Sequence, residues 1–324
     1  MMLRNRSDYR TLVWAFVFFP GSVIAQYAFP ALAGWLLPVG IYLGFCAGIF
    51  SHNHNHCPTF KSRRANAFYS AWLSAFYGYP TFAWIPTHNL NHHKYVDRAG
   101  DATITWRITK KNSLLMAVLY FFVSAYWQSG PITEYIRKAR RQSPAIFRQI
   151  IFQYVVVAGT HVGMLTLAVW LHGIPRGLIV YLSALGIPAL FALWSMMFTN
   201  YIQHVHCDPW SAHNHSRNFV SPLNNFFVFN NGFHTVHHEN PGVHWSKYPA
   251  LHAKIADEID PALNESTIIG YCLKVYILGA FFPRFRTHQI GRAAYDPPAG
   301  ARRDVATDTR SVSAVEVGVN AAFE

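Results

Sequence analysis

Residues 11–60 contain no Asp, Glu, Lys or Arg. A helix needs about 20 apolar residues to cross a bilayer, so this run predicts two consecutive spans, at residues 11–29 and 36–56. A second uncharged pair follows at residues 151–170 and 177–199. We therefore expect an all-α integral membrane protein with four transmembrane helices.

The composition agrees with a membrane protein and supplies an orientation. Hydrophobic residues make up 52% of the 324 residues and charged residues only 13%, about half of the share of roughly 25% in soluble domains. Lys and Arg outnumber Asp and Glu by 27 to 15. With two spanning pairs and cytoplasmic termini, Arg176 is the only basic residue outside, as the positive-inside rule favours. We expect a bacterial inner-membrane protein with no cleaved signal peptide and no nucleic-acid partner.

The remaining apolar stretches are not expected to span. A span at residues 113–128 would export a basic cluster that includes Arg140 and Arg148, against the positive-inside rule. Residues 270–283 predict an interfacial helix. The membrane domain is placed at residues 1–290, and the tail at 291–324, which lacks periodicity, is expected to be disordered. The four cysteines show no CxxC spacing, which argues against a disulfide framework or zinc ribbon.

Many of the 18 histidines are clustered at the ends of the predicted spans and in the polar half of the chain. Residues three or four apart share one face of a helix, so His52 and His56 point the same way, as do His88 and His92. His93 lies about 140° around from His88 on an ideal helix, which suits a second metal better than the same one. The candidate ligands are nine imidazoles: His52, His56, His88, His92, His93, His204, His234, His237 and His238.

Nine imidazoles are too many for one tetrahedral zinc, which takes about four ligands. They suit two transition ions in one pocket, although imidazole does not by itself select the metal. Shared metals require all clusters on one side of the bilayer, so residues 65–85 should be re-entrant or interfacial and the histidines should lie in a cytosolic helical cap. By the same criterion His161, in mid-span, is expected to form a helix–helix hydrogen bond, and His172 cannot reach the site.

The clusters read HNHNH at residues 52–56, HNLNHH at 88–93 and HTVHH at 234–238. This pattern resembles the three histidine boxes, HX3-4H, HX2-3HH and HX2-3HH, of the membrane fatty acid desaturase family and its alkane-hydroxylase and acyl-hydroxylase relatives. The residues around the third box are similar too, and the resemblance extends over residues 11–261. The first box departs from the family in its central His54, which points away from the other two on a helix.

The resemblance implies a non-haem di-iron centre that uses O₂ and two reducing equivalents to remove hydrogen from an acyl chain. It makes His204 a ninth ligand and gives Asn200 the task of holding a water on the metal. The substrate would be a lipid, an acyl-CoA or an acyl-carrier-protein thioester. The sequence lacks the HPGG pattern of an appended cytochrome b5, so electrons are expected from a separate protein such as a ferredoxin or a similar small carrier, for which the basic residues offer a docking surface.

Supporting residues are expected around the metals. Asp101 and Asp208 are the preferred carboxylates for orienting ligand rings, with Asp97 and Glu239 also nearby. Aromatic residues are candidates for the walls of an acyl tunnel, although ordinary bundle packing would also explain them. These candidates are Trp72, Phe76, Trp84, Trp194 and Phe198.

Other readings remain open at this point. The same ligands would serve hydroxylation, acetylenic bond formation or oxidative decarboxylation to a terminal alkene. A membrane metal transporter is a more distant alternative, because transporters place polar groups near the bilayer midplane and the predicted spans hold no carboxylate. A zinc protease is disfavoured because HExxH is absent.

Overall fold

The computed structural model describes residues 2–299, which are predominantly helical. The main helices are α1 Asp8–Ala28, α2 Pro30–His56, α3 Arg63–Tyr77, α4 Ile85–His92, α5 Leu114–Gln142, α6 Pro144–His172, α7 Ile174–His204, α8 Pro222–Phe227, α9 His234–Glu239, α10 Tyr248–Ile255 and α11 Ile268–Phe281. Short turns of helix lie at Thr81–Ala83, His93–Tyr95, Trp245–Lys247, Ala256–Glu258, Pro261–Leu263 and Pro283–Phe285. Two strands, β1 Asn218–Phe219 and β2 Asn264–Glu265, pair in parallel.

Four helices are long and apolar enough to cross a membrane: α1, α2, α6 and α7, with 21, 27, 29 and 31 residues. The four predicted spans are therefore confirmed as candidate membrane helices, and the structure extends each of them. Helix α3 has only 15 residues and ends at Tyr77, before Gly78, whose φ of 78° is left-handed. Residues 65–85 therefore do not form one long helix. The apolar segment near the C-terminus is the helix α11.

The described helices group into two units. The first contains residues 2–85 and 134–196, and the second contains residues 86–133 and 197–299. In the second unit Ala293 and Ala294 are buried, and the Trp210 indole donates a hydrogen bond of 3.0 Å to the Ala293 carbonyl. The rest of the tail expected to be disordered, residues 300–324, lies outside the described residues.

A row of glycines sets the packing of α2 against α7 in the first unit. Gly40, Gly44 and Gly48 recur every four residues and so share one face of α2. A Cβ on Gly44 would collide with the backbone of Pro188, and one on Gly48 with the side chain of Met196. Small residues of this kind let membrane helices approach closely, and here the two helices run in the same direction.

Helix α3 is fixed to its neighbours through polar and aromatic contacts. The Trp72 indole donates a hydrogen bond of 2.8 Å to the Ala15 carbonyl of α1. His161 of α6 hydrogen-bonds to the Ala75 carbonyl of α3 at 3.1 Å and to the Tyr181 hydroxyl of α7 at 3.0 Å. The expected helix–helix hydrogen bond of this mid-span histidine is thus confirmed.

Candidate metal centre

The second histidine cluster lies on a π-helical turn, α4, followed by one turn of α-helix. A π-helix bonds residue i to i+5, so residues five apart come together. The Nε2 atoms of His88 and His93 accordingly lie 3.1 Å apart, whereas His92 points to a different group of histidines. The sequence-based pairing of His88 with His92, with His93 apart, is therefore wrong, because it assumed an ordinary α-helix.

Three histidines of the second unit form the first group, in which the Nε2 atoms lie close together. The Nε2 atom of His237, on α9, lies 3.0 Å from that of His93 and 3.4 Å from that of His88. His88 and His237 are buried. The Nδ1 atom of His237 lies 3.0 Å from the Tyr248 hydroxyl, which fixes the ring and leaves Nε2 directed at the other two.

Four further imidazoles of the second unit form a separate group whose ligand atoms all lie within 4.8 Å of one another. The Nε2 atom of His204, at the end of α7, lies 3.1 Å from that of His92 and 2.9 Å from that of His234. The Nε2 atoms of His234 and His238 are 3.1 Å apart. The third cluster thus supplies both groups, with His237 in one and His234 and His238 in the other.

These separations suit a metal ion. Two nitrogens at right angles on an ion with bonds of about 2.1 Å lie about 3.0 Å apart. The Nδ1 atom of His92 donates to Asp101 at 2.7 Å, and that of His204 donates to the His215 carbonyl at 3.2 Å. With the protons on Nδ1, the Nε2 atoms of His92 and His204 direct lone pairs at each other. A cation bound between them would remove this repulsion.

Electrostatics keeps His238, in the second group, in the form that binds metal. Burial, together with the neighbouring imidazoles, lowers the pKa of His238 well below its usual range. His238 is therefore neutral near pH 7, when an imidazole nitrogen is available as a ligand. Burial likewise lowers the pKa of His215, whose ring lies 5.5 Å from that of His238, to about 4.

Asp101 is hydrogen-bonded to His92, and this contact supports its proposed role in orienting the ring. Its Oδ2 atom accepts from the Asp97 backbone as well as from His92, and its Oδ1 atom accepts from the backbone and the hydroxyl of Thr103. Burial alone would raise the pKa of Asp101, but the adjacent His92 and the hydrogen bonds from Thr103 lower it below its usual range. The carboxylate is therefore ionised and holds the His92 proton on Nδ1.

Asn91, inside the second cluster, was missed by the sequence analysis. Its side chain donates to the Gly100 carbonyl at 2.9 Å and accepts from the Ala102 backbone at 2.7 Å. It therefore clamps the loop that carries Asp101. A short asparagine beside a ligand was the available signal, because its amide can both donate to and accept from the backbone.

The other expected carboxylates lie elsewhere. Asp208 accepts from the backbone N–H groups of Trp210 and Arg292, both at 2.9 Å, and so orders a loop rather than a ligand ring. Its expected role beside the metals was therefore wrong. Glu239 lies 2.8 Å from Nδ1 of His213. Asp97 accepts from the backbone and the hydroxyl of Thr105.

Asn200 is held within the second unit. Its amide donates a hydrogen bond of 3.0 Å to the hydroxyl of the buried Tyr120, which in turn donates to the Thr103 carbonyl. Thr103 also bonds to Asp101. Asn200 is thus connected to the carboxylate behind His92.

Arg217 is a second residue that the sequence analysis missed. Its fully buried guanidinium donates to the carbonyls of Ile202 and Val205 at the end of α7, and lies 4.9 Å from the ring centre of Tyr271. Helix ends leave carbonyls unsatisfied, and a cation there is also favoured by the helix dipole. Arg217 therefore fixes the turn that carries His204.

The first cluster belongs to the first unit, at the end of α2. The ring centres of His52 and His56 lie 4.9 Å apart, and the Trp84 ring lies 5.2 Å from His52. His54 is buried, with Nδ1 2.9 Å from the Thr59 hydroxyl, and its ring meets that of Tyr69. His52 and His56 therefore share a face, as predicted, and His54 has a packing role.

Each of the five expected tunnel aromatics has identified neighbours within its own unit. Trp72 and Phe76 line an apolar cavity of the first unit. Trp84 is buried between His52 and Tyr77. Trp194 packs on Phe191, and Phe198 packs on Tyr276 of the second unit.

The sequence profile of the fatty acid desaturase family matches residues 9–266. That is most of the chain, and it includes all three histidine clusters and four candidate membrane helices. The chain belongs to the fatty acid desaturase family. No curated protein and no solved structure matches it. Membership implies oxidoreductase chemistry of the di-iron desaturase and hydroxylase type, a fatty acyl substrate and a membrane setting.

Proposed function

We propose that this protein is an O₂-dependent non-haem di-iron oxidoreductase that desaturates a fatty acyl chain. The observation that carries the proposal is the convergence of seven imidazoles of the second unit into two groups, at Nε2–Nε2 distances between 2.9 and 3.4 Å. Family membership supplies the expectation of iron and of an acyl substrate.

The proposed ligands are the nine histidines of the sequence analysis. His88, His93 and His237 would hold one iron, and His92, His204, His234 and His238 the other. His52 and His56 are proposed as the remaining two. Support for them comes from their shared face and from α2, which runs parallel to α7 along its glycine row and, like α7, ends in histidines.

When bound, iron would supply the oxidation of an unactivated C–H bond with O₂ and two electrons from an external carrier such as a ferredoxin. The chain's own residues would orient the ligand rings and line the place of the substrate. Asp101 holds the Nδ1 proton of His92, and Tyr248 positions His237. The Trp84 ring against His52 offers an apolar surface for the substrate. Trp194 and Phe198 would contact the acyl chain, and Asn200 would hold a water.

We place the site and both termini in the cytoplasm of a bacterium, on the charge distribution of the loops. A test is expression of the full chain in a bacterial host, followed by GC–MS of lipids and headspace volatiles. The inactive control is His237→Ala/His238→Ala. A matched control is His172→Ala/His288→Ala, because His172 bonds to the Tyr27 carbonyl and His288 is exposed.

A new double bond, present with the wild type and the matched control but absent from His237→Ala/His238→Ala, is the expected result. A hydroxylated or acetylenic chain or a terminal alkene with the same dependence would replace desaturation by a sibling reaction. Purified protein with zinc and no iron after expression in iron-rich medium would contradict the oxygenase and favour a metal carrier.

A further inference from the structure

The first unit contains an apolar cavity of about 310 Å³ between α1, α3 and α6. Its walls include Ile24 of α1, Phe68, Trp72 and Phe76 of α3, and Phe152 and Thr160 of α6. Empty apolar cavities of about 150 Å³ in proteins bind benzene. This cavity therefore accommodates a longer apolar group.

The cavity opens at a surface formed partly by α1 and α6, which are candidate membrane spans. Ile24, Phe68 and Phe152 at its edge are 65%, 50% and 54% exposed. Only 6% of the most apolar window of α6 is buried, so this helix presents an apolar surface. In a bilayer the apolar groups available at such an opening are acyl chains.

The cavity lies on a different face of α3 from the one near the first histidine cluster. Phe68, Trp72 and Phe76 recur every four residues and face the cavity. Tyr69, by contrast, lies with its ring 5.1 Å from that of His54, and Tyr77 with its ring 6.1 Å from that of Trp84. The cavity occupant therefore differs from an acyl chain that reaches the proposed metal site past Trp84.

Two arginines stand one helical turn before the cavity. Arg64 precedes Phe68 on α3, and Arg148 precedes Phe152 on α6, in each case by four residues and so on the same face. Both arginines are exposed. Helical side chains lean toward the helix N-terminus, so both guanidinium groups extend away from the apolar walls.

The helices around the cavity run in the same direction, so both arginines lie at one end of it. Phe16 stacks on Phe68, and further along both chains Phe19 packs on Phe76, which makes α1 parallel to α3. Near the other end of α1, Tyr27 donates to the Met164 carbonyl of α6 and accepts from His172. The cavity is thus apolar along its length and basic at the end where α3 and α6 begin.

We propose that this cavity, together with the two arginines at its end, binds an anionic glycerophospholipid. One acyl chain occupies the cavity, and Arg64 and Arg148 bind the phosphate, a ligand that guanidinium groups contact with two hydrogen bonds at once. The inference goes beyond the oxidation proposed above and requires only that the protein lies in a membrane. It assigns Trp72 and Phe76 to lipid binding instead of substrate binding.

The test is native mass spectrometry of the full chain in detergent, titrated with phosphatidylglycerol or with phosphatidylcholine of the same acyl chains. Wild type is expected to bind phosphatidylglycerol more tightly. Arg64→Gln/Arg148→Gln should weaken that binding about tenfold or more, since each basic residue near the headgroups contributes appreciably. Arg140→Gln/Arg141→Gln removes two exposed arginines from the end of α5 and should change it less than about twofold.

Thr160→Trp, which fills the cavity, should weaken binding of both lipids by a similar factor. Should that variant not fold, Ile24→Trp on the opposite wall serves the same purpose. Equal affinity for the two lipids, or equal effects of the two arginine pairs, would overturn the headgroup site. Unchanged binding by a folded cavity-filled variant, or a co-purified free fatty acid that phosphatidylglycerol does not displace, would overturn the lipid assignment.

Discussion

The Nδ1 atom of His92 lies 2.7 Å from the Oδ2 atom of Asp101, and both side chains are buried. An ionised carboxylate in this position fixes the imidazole tautomer and makes the other nitrogen more basic. The geometry of the second histidine group therefore depends on a residue that is not itself a proposed ligand.

Asp101→Asn should lower iron affinity about 10- to 100-fold, the usual cost of losing such a partner. An amide accepts more weakly than a carboxylate and no longer holds the His92 proton on Nδ1. Iron retained per chain after dialysis against a graded chelator series measures the effect. Asp208→Asn is the matched control, because Asp208 accepts hydrogen bonds from the loop backbone at Trp210 and Arg292. An equal loss of iron in that variant would refute the orienting role of Asp101.

The π-helical turn leads to an expectation about pairs of ligands. His88 and His93 lie in one group and His92 in the other, so His88→Ala/His93→Ala should affect mainly one iron. His88→Ala/His92→Ala should affect both, because coupling is strongest between residues that share a partner. Iron content of the purified variants distinguishes the pairs. Equal depletion by the two double variants would contradict this division.

Arg217→Ala should destabilise the second unit. It removes a buried guanidinium from the last carbonyls of α7, and each unsatisfied buried carbonyl costs about 1–3 kcal/mol. The apparent thermal midpoint in detergent should fall by several degrees, as measured by size-exclusion chromatography after heating. Arg284→Ala, which removes an exposed arginine near Phe282 and Phe285, should leave the midpoint nearly unchanged.

Gly44→Ala should loosen the packing of α2 on α7. The added Cβ would collide with the backbone of Pro188, and overpacking of this kind costs about 1–3 kcal/mol. Gly34→Ala lies in the same helix with open space around the added Cβ and should be neutral or slightly stabilising, since Ala favours helix over Gly. Similar thermal midpoints for the two variants would show that the close contact is unimportant.

The spans and the histidine clusters could be predicted because both are properties of short stretches of sequence. Uncharged runs such as residues 11–29 have few alternatives to a membrane helix. Regular spacing likewise placed His52 and His56 on one face, and the nearness of Asp101 to the second cluster in sequence anticipated its hydrogen bond to His92.

What could not be predicted depends on local departures from regular helix or on contacts distant in sequence. The inserted π turn changes which residues of HNLNHH come together, and periodicity of 3.6 does not report it. Asp208 was a plausible carboxylate by sequence distance, yet the chain near Arg292 returns to occupy it. Arg217 reaches the carbonyls at the end of α7 because the backbone reverses direction after that helix. No sequence motif indicates this reversal.

Asn91 fixes the loop that carries Asp101. Asp101 in turn fixes the ring of His92, the residue that follows Asn91 in the sequence. Within one short stretch the chain thus supplies a ligand together with the groups that aim it. A metal that enters this position meets a nitrogen already directed toward it. The entropic cost of ordering the His92 ring therefore arises during folding and not during metal binding. Apoprotein made under iron limitation should then keep its second histidine group preorganised and capture iron without refolding.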